Sequence, residues 1–135
     1  NRSLANLPEE KTPVILIVED EITNYLYLEA LFEEEPHVSY KLLHAKNGQE
    51  AIDICAETPD VDLVLMDIKM PGMDGYEATK KIKEERPDIP IIAQTAYSDN
   101  ENQEKALKAG CDDTITKPIE MAGFFELIAK YIAKD

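Results

Sequence analysis

The sequence predicts an α/β domain: a doubly wound, five-stranded parallel sheet in the order 2-1-3-4-5, with five helices. Three observations predict it. Apolar, β-branched runs recur along the chain and are too continuously apolar to present one side to water, as strands buried on both faces are. Amphipathic stretches opened by helix-start signals separate these runs. The two kinds of segment alternate, and alternation with right-handed crossovers leaves few parallel topologies.

The elements follow in order. Residues 1–13 (NRSLANLPEEKTP) are polar, lack periodicity and contain Pro8 and Pro13, so they read as a linker or expression remnant before a domain over 14–135. Val14-Ile15-Leu16-Ile17-Val18 is the first strand, and Leu28, Leu31 and Phe32 share a face of the helix that follows. Ser39–His44 is a weaker second strand. Asn47 with Glu50, Asp74 with Glu77, and Ser98 with Glu101 resemble capping boxes opening the second, third and fourth helices. Val61–Met66 and Ile89–Ala93 are the third and fourth strands. Gly110 stands where a glycine closes the fourth helix. Thr114–Thr116 is the fifth strand, and Pro118 is placed for the first turn of the last helix, whose apolar face carries Phe124, Phe125, Ile128 and Ile132.

Composition narrows the function. The chain has 135 residues, one domain's worth, with 14 Lys plus Arg against 28 Asp plus Glu and a formal net charge of −14. Such a chain has no charge-driven attraction to nucleic acid or an anionic membrane, and neither is an expected partner. Cys55 and Cys111 are isolated, without a CxxC pair or a nearby His, and read as reduced thiols of a cytoplasmic protein. No apolar run has the length of a membrane span.

In a sheet of this order ligands bind beyond the carboxyl ends of the strands, at the switch point between the first and third. Glu19, Asp20 and Glu21 follow strand 1; Asp67 follows strand 3; Gln94, Thr95 and Ala96 follow strand 4; Lys117 follows strand 5. Carboxylates from Glu19, Asp20 and Asp67 would repel one another there. An oxygen-seeking divalent cation, Mg²⁺, removes that repulsion, and Lys117 completes the neutralisation. A carboxylate beside such a cation can act as a nucleophile toward phosphorus, with Thr95 and Lys117 placed to hold phosphoryl oxygens.

The chain resembles the receiver domains of two-component response regulators, a flavodoxin-like fold, from about Val14 to Tyr131. The resemblance rests on Ile15-Leu16-Ile17-Val18-Glu19-Asp20-Glu21, on Leu65-Met66-Asp67-Ile68-Lys69-Met70-Pro71-Gly72-Met73-Asp74-Gly75, on Ile91-Ile92-Ala93-Gln94-Thr95-Ala96, and on Thr116-Lys117-Pro118-Ile119. It implies Asp67 as phosphoacceptor, Glu19 and Asp20 as the metal-binding pair, and the Lys69 backbone carbonyl as a further metal ligand. It also implies that Thr95 and Lys117 contact the phosphoryl group and that the Lys117–Pro118 bond is cis. The Glu19-Asp20 pair, the Asn24 that follows it and the Gln-Thr-Ala-Tyr segment look most like receivers attached to hybrid sensor histidine kinases. The family commonly carries Tyr or Phe three residues before the lysine; here the residue is Thr114, so an aromatic switch on strand 5 is not expected.

The implied partner is a histidine kinase or a histidine phosphotransfer domain. Ile22 and Leu26 point away from the buried face of the first helix, and with Thr23, Asn24 and Tyr27 they form the expected docking surface. His37 and His44 lack the helical, acid-flanked setting of a phosphodonor and are read as having no role in the chemistry. Three alternatives are weighed. A phosphorylation-independent interaction module does not need the intact set of Asp20, Asp67, Thr95 and Lys117. A haloacid-dehalogenase-type phosphatase needs D-x-D, and here Lys69 occupies the third position. A flavin protein of the same sheet order needs a hydroxyl-rich loop after strand 1 in place of Glu19-Asp20-Glu21.

Overall fold

The computed structural model describes residues 12–68, 74–96 and 100–132. Five strands and five helices alternate: β1 (Val14–Val18), α1 (Ile22–Glu34), β2 (Lys41–Ala45), α2 (Gly48–Glu57), β3 (Leu63–Asp67), α3 (Gly75–Glu85), β4 (Ile91–Ala96), α4 (Asn100–Ala109), β5 (Asp113–Lys117) and α5 (Met121–Ile132). All pairings are parallel, in the order β2-β1-β3-β4-β5.

Side chains of successive strand residues leave opposite faces of the sheet, so each central strand feeds two cores. Leu16, Val18, Val64, Met66 and Ala93 pack with Ala51 and Cys55 of α2, Ala78 and Ile82 of α3, and Ala106 of α4. Ile15, Ile17, Leu63, Leu65 and Ile92 pack with Leu28, Leu31 and Phe32 of α1 and with Phe124 and Ile128 of α5. This two-sided burial is why the strands read as unbroken apolar runs.

The helix ends explain the boundaries. Asn47 and Asp74 accept from the backbone N–H of Glu50 and Glu77, each at 2.9 Å. Glu50 completes its box one residue further back than expected, accepting from the Lys46 N–H at 2.9 Å. Ser98 lies outside the described residues. Gly110, at φ +116°, closes α4, with its N–H on the Leu107 carbonyl and the Cys111 N–H on the Ala106 carbonyl, a Schellman closure.

Three expectations are corrected. Strands β3, β4 and β5 run past their apolar segments, so Asp67, Thr95 and Lys117 are strand residues and not loop residues. Polar strand ends carry no hydrophobic signal, but the ladder continues: Asp67 pairs with Gln94 and Ala96 with Lys117. Pro118 is not in the first turn of α5; it follows a cis Lys117–Pro118 bond, and α5 opens from Glu120, whose carbonyl accepts from the Phe124 N–H at 3.0 Å. Pro13 belongs to the folded part, being buried with its carbonyl accepting from the Lys41 N–H at 2.9 Å.

Candidate functional site

The continued strands bring the predicted groups together. Glu19 directly follows β1, and its N–H donates to the Ala45 carbonyl at 3.0 Å, extending the ladder by one residue. That fixes its side chain inward, at 0% exposure, while Asp20 faces solvent. Carboxylate oxygens of Glu19, Asp20 and Asp67 all lie within 4.8 Å of one another. Lys117 Nζ stands 3.6 Å from Glu19 Oε2 and 3.7 Å from Asp67 Oδ2. The strand ends thus form three acids and one ammonium at a single edge.

Electrostatics there are under tension. Burial, and next the Asp67 carboxylate beside it, push the Glu19 carboxyl up to about 7. Lys117 and the Glu21 N–H, which donates to Glu19 Oε1 at 3.3 Å, act in the opposite direction. Glu19 Oε2 is buried without a hydrogen bond. A buried carboxylate oxygen with no donor nearer than the Lys117 ammonium at 3.6 Å, converging with two further carboxylates, fits a hard divalent cation. The Lys69 carbonyl lies outside the described residues.

Beside the acids, Thr95 at 3% exposure has a buried hydroxyl with no hydrogen-bond partner. It lines a cavity of about 160 Å³ together with Glu21, Asp67, Ile68, Gln94, Asn102 and Lys117. Asn102 is held there from α3, its Oδ1 accepting from the Tyr76 hydroxyl at 2.5 Å. A wider cavity of about 930 Å³ lies along β5 and α5, with Thr114 in its wall.

The proposed docking residues are placed differently from one another. Ile22 (58% exposed) and Leu26 (50%) stand out into solvent, as their helical phase predicts. Thr23 is exposed and Asn24 half-buried. Tyr27 is half exposed, yet its hydroxyl donates to the Ile119 carbonyl at 2.6 Å and so ties α1 to the loop before α5.

Sequence reasoning gave His44 no role, and the structure gives it a positioning one. Its Nε2 meets the Glu19 carbonyl at 2.8 Å, and its ring stacks on Tyr25 with centroids 4.0 Å apart. No sequence signal marks this contact, because the partner is a backbone carbonyl. Gln94 and Asn102 were also unassigned; an amide ending the apolar run of β4 was the legible sign for Gln94.

Comparison with known proteins agrees with this geometry. Residues 15–129 match the family model described as the response regulator receiver domain. The polar-differentiation response regulator DivK of Brucella ovis is 37% identical over 123 residues, which is 90% of this chain and 97% of that protein. The receiver domain of a sensor histidine kinase from Pseudomonas aeruginosa, solved with a magnesium ion coordinated in its active site cleft, is 31% identical with a TM-score of 0.80, over 92% of this chain and 100% of that one. A Saccharomyces cerevisiae response regulator receiver domain, solved with a histidine phosphotransfer signaling protein, is 32% identical with a TM-score of 0.77, over 89% of this chain and 88% of that one.

Proposed function

Because this chain belongs to the response regulator receiver domains, we propose that Asp67 is its phosphoacceptor, taking a phosphoryl group from a phosphohistidine of a histidine kinase or histidine phosphotransfer domain. One observation carries the reading: three carboxylates within 4.8 Å of one another, with the Lys117 ammonium between Glu19 and Asp67. The cofactor is Mg²⁺, for which Glu19, Asp20, Asp67 and the Lys69 carbonyl are the proposed ligands. When bound it neutralises the acids and the phosphoryl oxygens.

The chain's own residues do the rest. A carboxylate oxygen of Asp67 forms a bond to phosphorus as the bond to the histidine nitrogen breaks, and the imidazole departs with that electron pair. Lys117, already beside Asp67, offsets the charge of the incoming group. The Thr95 hydroxyl supplies a donor for a phosphoryl oxygen. Glu19, held inward by the β1–β2 ladder and by His44 on its carbonyl, offers its carboxylate oxygens to the metal on the side of the site away from β4. Ile22, Leu26 and their neighbours on α1 present an apolar surface beside Glu19 and Asp20, where a helical partner would bring its histidine. Among the described residues no helix is long and apolar enough to cross a membrane.

The test is incubation with acetyl phosphate, with and without Mg²⁺, read by intact mass. One phosphoryl group is expected with Mg²⁺ and none with Asp67→Asn. Equal labelling of the Asn variant would remove Asp67 from the role.

A further inference from the structure

Among the described residues, four buried side-chain atoms lack a hydrogen-bond partner: Glu19 Oε2, Thr95 Oγ1, Gln94 Nε2 and Tyr40 Oη. Three of the four belong to residues at one edge of the sheet. A buried polar atom without a partner is destabilising, so each such atom calls for a reason. The three differ in what they can accept as company. An ionised Glu19 oxygen only accepts hydrogen bonds, and it suits a cation. Gln94 Nε2 only donates, so it cannot ligate a metal and suits an oxygen-bearing anion. The Thr95 hydroxyl does both. The edge is therefore divided: acceptors at the end of β1, donors at the end of β4.

Gln94 is 2% exposed and lines the same cavity as Asp67, Thr95 and Lys117. It is the ladder partner of Asp67. That register sets the two residues side by side where the strands end, and there Gln94, Thr95 and Asp67 all border the one cavity. A cavity of about 160 Å³ admits a phosphoryl group with a few waters, each occupying about 30 Å³ in the liquid.

We propose that Gln94 is a third phosphoryl-binding side chain, its Nε2–H donating to an oxygen of the group carried on Asp67. The proposal rests on Asp67 being the phosphoacceptor. In the transfer from acetyl phosphate, the Asp67 oxygen bonds to phosphorus, the bond from phosphorus to the acetyl oxygen breaks, and acetate leaves with the electron pair. Gln94 gives up no proton; it holds an oxygen whose charge grows.

Gln94→Leu tests this, because it keeps the volume and removes the donor. Its melting temperature without phosphoryl ligand should equal or exceed that of the wild type, since an unpartnered donor has gone. Its magnesium affinity should be unchanged. Its affinity for beryllium fluoride in the presence of Mg²⁺, and its labelling rate by acetyl phosphate, should each fall about tenfold. Gain in stability with loss of anion binding is a pairing that a structural role does not produce. Gln94→Glu, which replaces donors with acceptors, should lose both more completely. Wild-type beryllium fluoride affinity and labelling in Gln94→Leu would overturn the proposal and mark Nε2 as a site for bound water. A lower melting temperature with equally weakened magnesium binding would overturn it too. Should the Leu variant fail to fold, Gln94→Met is read by the same criteria. A wild-type protein that is not labelled at all would instead sink the phosphoacceptor reading.

Discussion

A Cβ at Gly75 would stand 2.6 Å from the Asp67 carbonyl oxygen and 3.0 Å from the Ile68 Cα, both backbone atoms. Neither can swing aside, so any side chain there pushes α3 away from the end of β3. The Gly75 N–H also donates to the Ile68 carbonyl at 3.3 Å, so the first turn of α3 is seated on the backbone that follows Asp67. Gly75→Ala should therefore lower stability by about 2 kcal/mol, as overpacking of a close contact does, and slow acetyl phosphate labelling as well. Thermal denaturation measures the first and intact mass the second; an unchanged melting temperature would show that the helix moves freely. Residue-scale features of this kind divide into legible and illegible. Asp67, Thr95 and Lys117 were legible because chemically distinctive side chains recur at strand ends. The contacts of His44 and Tyr27 were not, since each is engaged by a backbone carbonyl, of Glu19 and Ile119, and a carbonyl has no letter in the sequence.

Among the elements, α1 carries the sharpest division of labour. Its Leu28, Leu31 and Phe32 are buried, while Ile22 and Leu26 are exposed. Its N-cap residue Glu21 makes no side-chain cap bond and its first turn carries no acid, so tertiary packing holds it in place. Leu26→Ala removes apolar surface without touching that packing. It should leave labelling by acetyl phosphate and the melting temperature unchanged while slowing labelling by the cognate histidine donor several-fold, as truncation at an interface does. Slowing with both donors would assign the residue to folding, and slowing with neither would move the interface elsewhere. Tyr27→Ala is the poorer variant, because it also releases the tie to Ile119. The order of elements was fully readable from alternation, whereas their ends were not. Apolar runs report where a strand is buried, and hydrogen bonds such as those pairing Asp67 with Gln94 carry it further.

At the scale of the whole molecule, the acid edge makes stability depend on pH and on metal. The folded Glu19 carboxyl lies near 7 against an ordinary value of 4.5, so between those limits the folded chain holds a proton that the unfolded chain has released. Stability in chelator should accordingly fall as pH rises through that window. Mg²⁺ competes with the proton for the same carboxylates, so its stabilisation should be small near the bottom of the window and larger above it. Melting curves at about pH 5 and about pH 8, with chelator and with tens of millimolar Mg²⁺, measure both effects. Glu19→Gln should flatten the slope in chelator. A magnesium increment that does not change with pH would contradict the assignment of Glu19 to the metal.

The edge on which these charges meet is contributed by four strands, from Glu19 after β1 to Lys117 at the end of β5. A chain emerging from the ribosome therefore has Asp67 well before it has Lys117, with β4 and α4 between them. Until β5 is docked beside β4, the Lys117 ammonium does not stand beside Asp67 and Glu19. The charge balance of the edge thus depends on β5 being in place, and a chain folded only as far as β4 holds the acids without their ammonium.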